Sequence, residues 1–532
     1  MYRFLTLAIL SLMLSVAPSA AQFKIGGSAQ VNPEDFSITV FADDLNYPVG
    51  MTELEDGSIL VAVTNGESFF SSTSGQLLRL VDADDDGVAE TRQVIMSSLN
   101  VGGPTALQRA NDLLFVTGQG KPILILRLGA APDYEIRQVG RISITGSNYW
   151  LHPNSALVAR QAPGSTDTYE LYFPLGSKVN FAPTTDTRSL STDFGLTAAL
   201  AGDAIHRIIF SDDGSRLTGV EHTQIATGLR SASGLAFHPQ TGDLYFEDNG
   251  IDGLQEAIEA HSADEINVIA AADLGGEIED FGFPFNHTAY RTGEFVGGAG
   301  VPPLVAFTPL PDPATGSESE GPNEIAFAPP GFPAELRDGL FVGFHGQFSK
   351  GGLANEENPL VYVDLDRRDY FHFIGNEEPG VGHLDGLLAM DNRLFVSEIS
   401  SQGGFSSGAA NSGLIYQIRY IGEPPTVVAE VAGETPDDYA VSDAFPNPFN
   451  PSTQLSFSIP PVAQQQMATL RVYDGQGQLV RTLLRAPMQA GHYRADWDGT
   501  DASGRSVASG SYFFRLSIGD LYSATRQMTL LK

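Results

Sequence analysis

Four carboxylates, Asp82, Asp84, Asp86 and Glu90, lie within Asp82-Ala83-Asp84-Asp85-Asp86-Gly87-Val88-Ala89-Glu90. They place oxygen ligands alternately around a glycine suited to a tight turn. Hard cations such as calcium take oxygen ligands in this way, although the stretch lacks the twelve-residue loop of an EF-hand. Cysteine is absent. That excludes thiolate catalysis and Cys-ligated zinc, and it leaves burial, with metal as an aid, to hold the chain together.

The elements that must position any site begin after an export-type pattern. Met1 to Gln22 has Arg3 at its start, an apolar run from Phe4 to Val16 and the small residues Ser19-Ala20-Ala21. This is the three-part pattern of a secretory signal over residues 1–21. As a membrane anchor the run is too short, and no second run reaches about 18 apolar residues. The mature chain is therefore expected to be soluble and secreted or displayed at the cell surface. The formal charge is −34, from 64 acidic and 30 basic residues. Such a field repels phosphate backbones, which argues against a nucleic-acid partner, and attracts cations.

At 532 residues the chain exceeds what one core organises. Six segments share a turn followed by an apolar strand: Asp56 to Val61, Asn111 to Val116, Tyr169 to Phe173, Thr241 to Phe246, Asp338 to Val342 and Asn392 to Val396. Three of the five intervals are about 55 residues, close to a propeller blade, and two are longer and must carry insertions. A second apolar stretch often precedes the repeat strand, as in Ser233 to Phe237 and Asn323 to Phe327, and reads as the other arm of a hairpin. No long segment has helical period. The class is all-β, with a six-bladed propeller over 22–420, a Pro-bearing acidic linker over 421–440 and a small Ig-like sandwich over 441–532. Within the sandwich, strands are expected at Gln454 to Ile459, Ala468 to Tyr473, Gly491 to Trp497 and Gly510 to Ser517.

The last segment contains Phe445-Pro446-Asn447-Pro448-Phe449-Asn450-Pro451, Val472-Tyr473-Asp474-Gly475-Gln476-Gly477, Trp497-Asp498-Gly499 and the closing Met528-Thr529-Leu530-Leu531-Lys532. On these residues it resembles the type A sorting domain of type IX secretion cargo. The resemblance implies export across two membranes, with the type IX machinery as partner. The alternative is a carbohydrate-binding Ig module; Trp497 is expected to pack the sandwich rather than to bind sugar.

The expected ring carries, in order, Tyr47-Pro48-Val49-Gly50-Met51, Leu229-Arg230 with Gly234-Leu235-Ala236-Phe237, Asp264-Glu265-Ile266-Asn267, Phe341-Val342-Gly343-Phe344-His345-Gly346, and the strand Leu414 to Tyr420. With these landmarks it resembles the glucose/sorbosone dehydrogenase family. Soluble members are six-bladed propellers that use pyrroloquinoline quinone (PQQ) with calcium. The resemblance implies that His152 takes a substrate hydroxyl proton, that Arg230 supports negative charge on the cofactor, and that His345 and Lys350 face it. It also implies a second calcium candidate, Asp264 and Glu265 with Glu247 and Asp248. The chain departs from the pattern at Leu151, where an acidic residue is common, at Ser231-Ala232-Ser233 in place of an Asn-Pro pair, and at Gln347-Phe348-Ser349, which loses a tryptophan.

Three functions follow as expectations. The first is a PQQ-dependent dehydrogenase acting on sugars. The second is a non-catalytic surface propeller binding glycan or protein. The third is a calcium-dependent, lactonase-like hydrolase.

Overall fold

Each of the six sequence repeats becomes the second strand of an antiparallel blade. The six strands are Ile59–Thr64, Leu113–Gly118, Thr168–Leu175, Leu244–Asp248, Gly339–Phe344 and Arg393–Glu398. Their side chains are almost continuously buried, because every blade is covered on both faces by its neighbours. That double burial is why they stand out in the sequence as unbroken apolar runs.

The computed structural model describes residues 25–26 and 31–531, apart from 147–148, 253, 255–261, 310–320, 337–338, 346–359, 376–383, 402–404, 406, 423–427, 432–435, 462–465, 478, 501–506 and 519–520. The expected signal peptide, 1–21, and Lys350 lie outside the described residues. Among the described residues no helix is long and apolar enough to cross a membrane.

Blade 1 pairs Met51–Glu53, Ile59–Thr64, Gly75–Val81 and Thr91–Leu99 in that order. Blades 4 and 5 repeat the plan from Ala232–Phe237 and Pro322–Phe327, the two inner strands anticipated ahead of their repeats. The two long intervals do carry insertions. A hairpin of Thr187–Thr192 and Thr197–Ala201 extends the outer edge of blade 2 to six strands, and the hairpin His287–Thr288 with Phe295–Val296 lies within blade 4.

Blade 6 closes the ring. Its inner three strands, Leu384–Met390, Arg393–Glu398 and Gly413–Tyr420, come from the end of the propeller. The fourth, Phe36–Leu45, comes from its beginning and pairs antiparallel with Gly413–Tyr420, Val40 opposite Tyr416. Phe41 is 2% exposed and meets Phe395 edge-on, 4.9 Å between ring centres, within the apolar cluster that joins blades 6 and 1.

The C-terminal unit is a sandwich of two four-stranded sheets. The four anticipated strands are found at Thr453–Ile459, Gln466–Asp474, Gly491–Trp497 and Gly510–Ile518. Trp497 is fully buried beside Phe449 and Tyr512, with its Nε1 donating to Thr500 O at 2.9 Å, so it packs the core as expected. The stretch expected as linker, 421–440, differs from that reading. Its strand Val428–Val431 pairs with Gly491–Trp497 and belongs to the sandwich, because a short strand at a sheet edge needs little sequence to define it.

Replacing Phe41 by alanine is expected to cost about 3–5 kcal/mol, the usual range for emptying a buried aromatic site. Urea unfolding monitored by circular dichroism would read the loss.

Candidate functional site

Strands alternate in direction through a blade, so the starts of inner strands and the ends of second strands lie at one end of the ring. His152 precedes the inner strand Val158–Gln161, Arg230 precedes Ala232–Phe237, Asp248 ends Leu244–Asp248, and His345 follows Gly339–Phe344. The topology thus brings these expected site residues to one end.

Gly176, just past the strand Thr168–Leu175, joins His152 to Arg230. His152 N donates to Ser177 O at 3.0 Å, and Ser177 N donates to Arg230 O at 2.7 Å. A Cβ on Gly176 would stand 2.5 Å from Arg230 O and 2.9 Å from His152 Cβ, so only glycine allows the two segments to approach this closely. His152 Nδ1 is buried with no hydrogen-bond partner among the described residues. Burial, then the Arg230 charge, push its pKa down to about 3, opposed by Asp252, so the imidazole is neutral.

Arg230 is nearly buried. Its Nε donates to Asn180 Oδ1 at 2.8 Å, Nη1 to Asn249 O at 3.4 Å and Nη2 to Asp252 Oδ2 at 2.5 Å. Its backbone N and that of Ser231 donate to the two oxygens of Asp248 at 3.0 and 2.6 Å. A cleft opens beside it, lined by Arg230, Asp248, Glu265, Asn286, Phe281 and Phe283 among others. His345 lies at the same end, its ring stacked on Phe405 at 5.1 Å and its N donating to Gly321 O.

The pleat of blade 4 divides the acids expected to share a cation. Asp248 is paired with Glu265, and Glu247 with Ile266, so Glu247 points to the opposite face from Asp248 and Glu265. Asp264 instead accepts backbone N–H groups from Gly250 and Gly321 at 2.6 and 2.8 Å. Glu247 is held by Asn249 Nδ2 at 3.1 Å and lies close to Glu324 of blade 5, which the sequence pattern had not singled out. The signal for Glu324 was an acid inside an apolar inner strand, Asn323-Glu324-Ile325-Ala326-Phe327. Asp252 and Asn180 were also missed, since they meet Arg230 only through the fold.

Burial dominates these carboxyls. It raises Asp264 to about 6, Asp248 to about 7 and Glu265 and Glu324 to about 8, and holds Glu247 well above the usual carboxylate range.

Asp82, Asp84, Asp86 and Glu90 do converge. Each offers an oxygen, and these all lie within 4.8 Å of one another, about twice a calcium–oxygen distance. Gly87 takes a φ of +92°, the left-handed conformation the turn needs. Asp82 accepts Gly87 N at 2.9 Å and Glu90 accepts Ala83 N at 2.9 Å. The loop follows the third strand of blade 1 and so lies at the end opposite His152. It touches the ring-closing strand, with Thr39 Oγ1 donating to Gly87 O at 3.0 Å, Ala89 N donating to Phe41 O at 2.8 Å, and Asp85 paired with Arg419.

The family model of the FlgD Ig-like domain matches residues 442–519. The PQQ domain of a pyranose dehydrogenase from Coprinopsis cinerea, in its holo form, superposes with a TM-score of 0.50 at 13% identity, covering 75% of this chain and 98% of that one. A putative glucose dehydrogenase-type oxidoreductase of Thermus thermophilus gives 0.43 at 17% identity, covering 72% and 99%. An uncharacterized protein of Borreliella burgdorferi is 33% identical over 161 residues, 27% of this chain, and the chain spans 35% of that protein's length. At 13% identity, the likeness to the pyranose dehydrogenase domain is one of fold: a ring of the PQQ-domain kind, carried here with an Ig-like C-terminal unit.

The raised carboxyls bind protons more tightly in the folded than in the unfolded chain. The stability they confer is therefore fully present below an unfolded pKa of about 4 and is lost as pH rises from there through the folded values of about 6 to 8. The melting temperature in EDTA is expected to fall between about pH 5 and about pH 9, and Glu324→Gln to flatten that fall. Added calcium is expected to raise the melting temperature of the wild type, and Asp86→Ala to remove most of that gain.

Proposed function

We propose that this chain is an exported, quinone-dependent oxidoreductase acting on CH–OH groups of sugars. The observation that carries the reading is the pairing, across Gly176, of a neutral imidazole whose buried Nδ1 has no partner among the described residues with a buried guanidinium. The fold of the PQQ-domain kind supports it.

Two features at this end fit an anionic quinone such as PQQ: the unsatisfied Nδ1 of His152 and the cation of Arg230. Arg230 would hold the cofactor, joined by His345 and Lys350 on the sequence resemblance. When bound, the quinone supplies the acceptor for a hydride from the substrate carbon. His152 would accept the hydroxyl proton at Nδ1; its imidazole is neutral, and negative charge arising beside it during the reaction would offset the low basicity that burial and Arg230 impose. Arg230 favours negative charge arising beside it, more strongly because the site is poorly hydrated. Phe281 and Phe283 line the cleft beside Arg230. Asp82, Asp84, Asp86 and Glu90 would hold a calcium ion at the opposite end, where it would brace the ring closure.

Export is part of the proposal. The signal-like residues 1–21 and the sorting-domain pattern within the Ig-like unit support passage through type IX machinery to a secreted or surface location.

A non-catalytic ring that binds glycan is the second reading, favoured by the closed hydrogen bonding of Arg230 and by Leu151 beside His152.

Full-length protein reconstituted with PQQ and calcium is expected to reduce a dye in the presence of a sugar, and His152→Ala to lower turnover by about 10²–10⁴-fold. Quinone-bound protein that turns over no member of a sugar panel would overturn the catalytic reading. Saturable glycan binding by the same protein would then establish the second.

A further inference from the structure

Of the partners of the Arg230 side chain, Asp252 is the most exposed. The Arg230 side chain is 7% exposed, whereas that of Asp252, on its Nη2, is 63% exposed. Asp252 therefore covers the solvent side of the guanidinium. Asn180 fixes the arrangement from both directions, with Oδ1 accepting from Arg230 Nε at 2.8 Å and Nδ2 donating to Asp252 O at 2.6 Å.

The position of the Arg230 main chain does not depend on this carboxylate. The Arg230 main chain is already tied by Ser177 and Asp248, and an ion pair with one exposed partner adds little stability. Its effect on binding is larger. A carboxylate ligand takes a guanidinium through parallel N–H groups, and here one of those groups is already spent on Asp252, with a second on Asn180. An anion arriving at this face must displace Asp252 or bear its repulsion. A neutral polyol meets neither cost.

We propose that Asp252 is the specificity-determining residue of this face, holding the place on Arg230 that a ligand carboxylate would take, so that neutral ligands enter freely and anionic ones only by displacing it. The inference rests on reading this face as the ligand site, and it deepens that reading. PQQ, itself a tricarboxylate, is one such anion, and Asp252 sets how tightly this chain holds it.

The test is calorimetric titration of the full-length protein with two probes: PQQ in the presence of calcium, and benzene-1,3,5-tricarboxylate, which has the charge without the quinone. Asp252→Asn is expected to gain about tenfold or more in affinity for the anions, and the added change Arg230→Ala to abolish the gain. Because the Asp252 side chain is exposed, the variant should melt with the wild type; Asp252→Ser serves if it does not. A gain for either probe that depends on Arg230 supports the inference. If the gain appears with the tricarboxylate while neither protein binds PQQ, the inference stands and the quinone reading fails. If the wild type binds PQQ and the variants bind neither probe more tightly, the inference is overturned and the quinone reading survives. No gain in any variant with any probe overturns it as well.

Discussion

One buried guanidinium organises the His152 end of this ring. Arg230 and its immediate main chain engage Asp248, Asp252, Asn180 and Asn249, which come from the separate connections around blades 3 and 4. Behind it lie Asp264 and Glu247, buried, and Glu265 and Glu324, half-buried, all with raised pKa values and with hydroxyl, amide or backbone donors on their oxygens. Burying so many acids around one cation would be costly if all were ionised. The cost is limited by letting several keep their protons near neutral pH, and the neutral His152 beside them follows the same rule of charge suppression.

Much of the fold was legible because propeller blades impose a simple pattern. The second strand of each blade is covered on both faces, so Leu113–Gly118 or Gly339–Phe344 reads as an apolar run whatever its neighbours do. The short strand Val428–Val431 was hidden, since its place depends on pairing with Gly491–Trp497 rather than on its own composition. The site was less legible. His152 and Arg230 could be named only through family resemblance, although the structure brings them together across Gly176. Asp252 and Asn180 left no local signal, because their meaning arises from loops joined by tertiary contacts. The acids of blade 4, grouped by family resemblance, are divided by the pleat: Glu247 and Asp248 are adjacent in sequence and so lie on opposite faces of their strand.

The two ends of the ring carry different chemistry. One gathers histidine, arginine and protonatable acids, with a cleft beside Arg230. The other presents four converging carboxylates on a glycine turn that touches the closing strand. A cation there would act on the architecture, and only indirectly on the cleft, since the whole ring lies between them.

The closing strand also sets an order of events. Phe36–Leu45 is among the first parts of the propeller to leave the ribosome, yet its partner, Gly413–Tyr420, is among the last. Until then its edge is unsatisfied, and the neighbouring blades lack one wall of their shared core. The ring cannot therefore be completed progressively during synthesis. The early strand must wait unpaired, and final assembly becomes a single late step that carries the entropy cost of the largest loop in the domain.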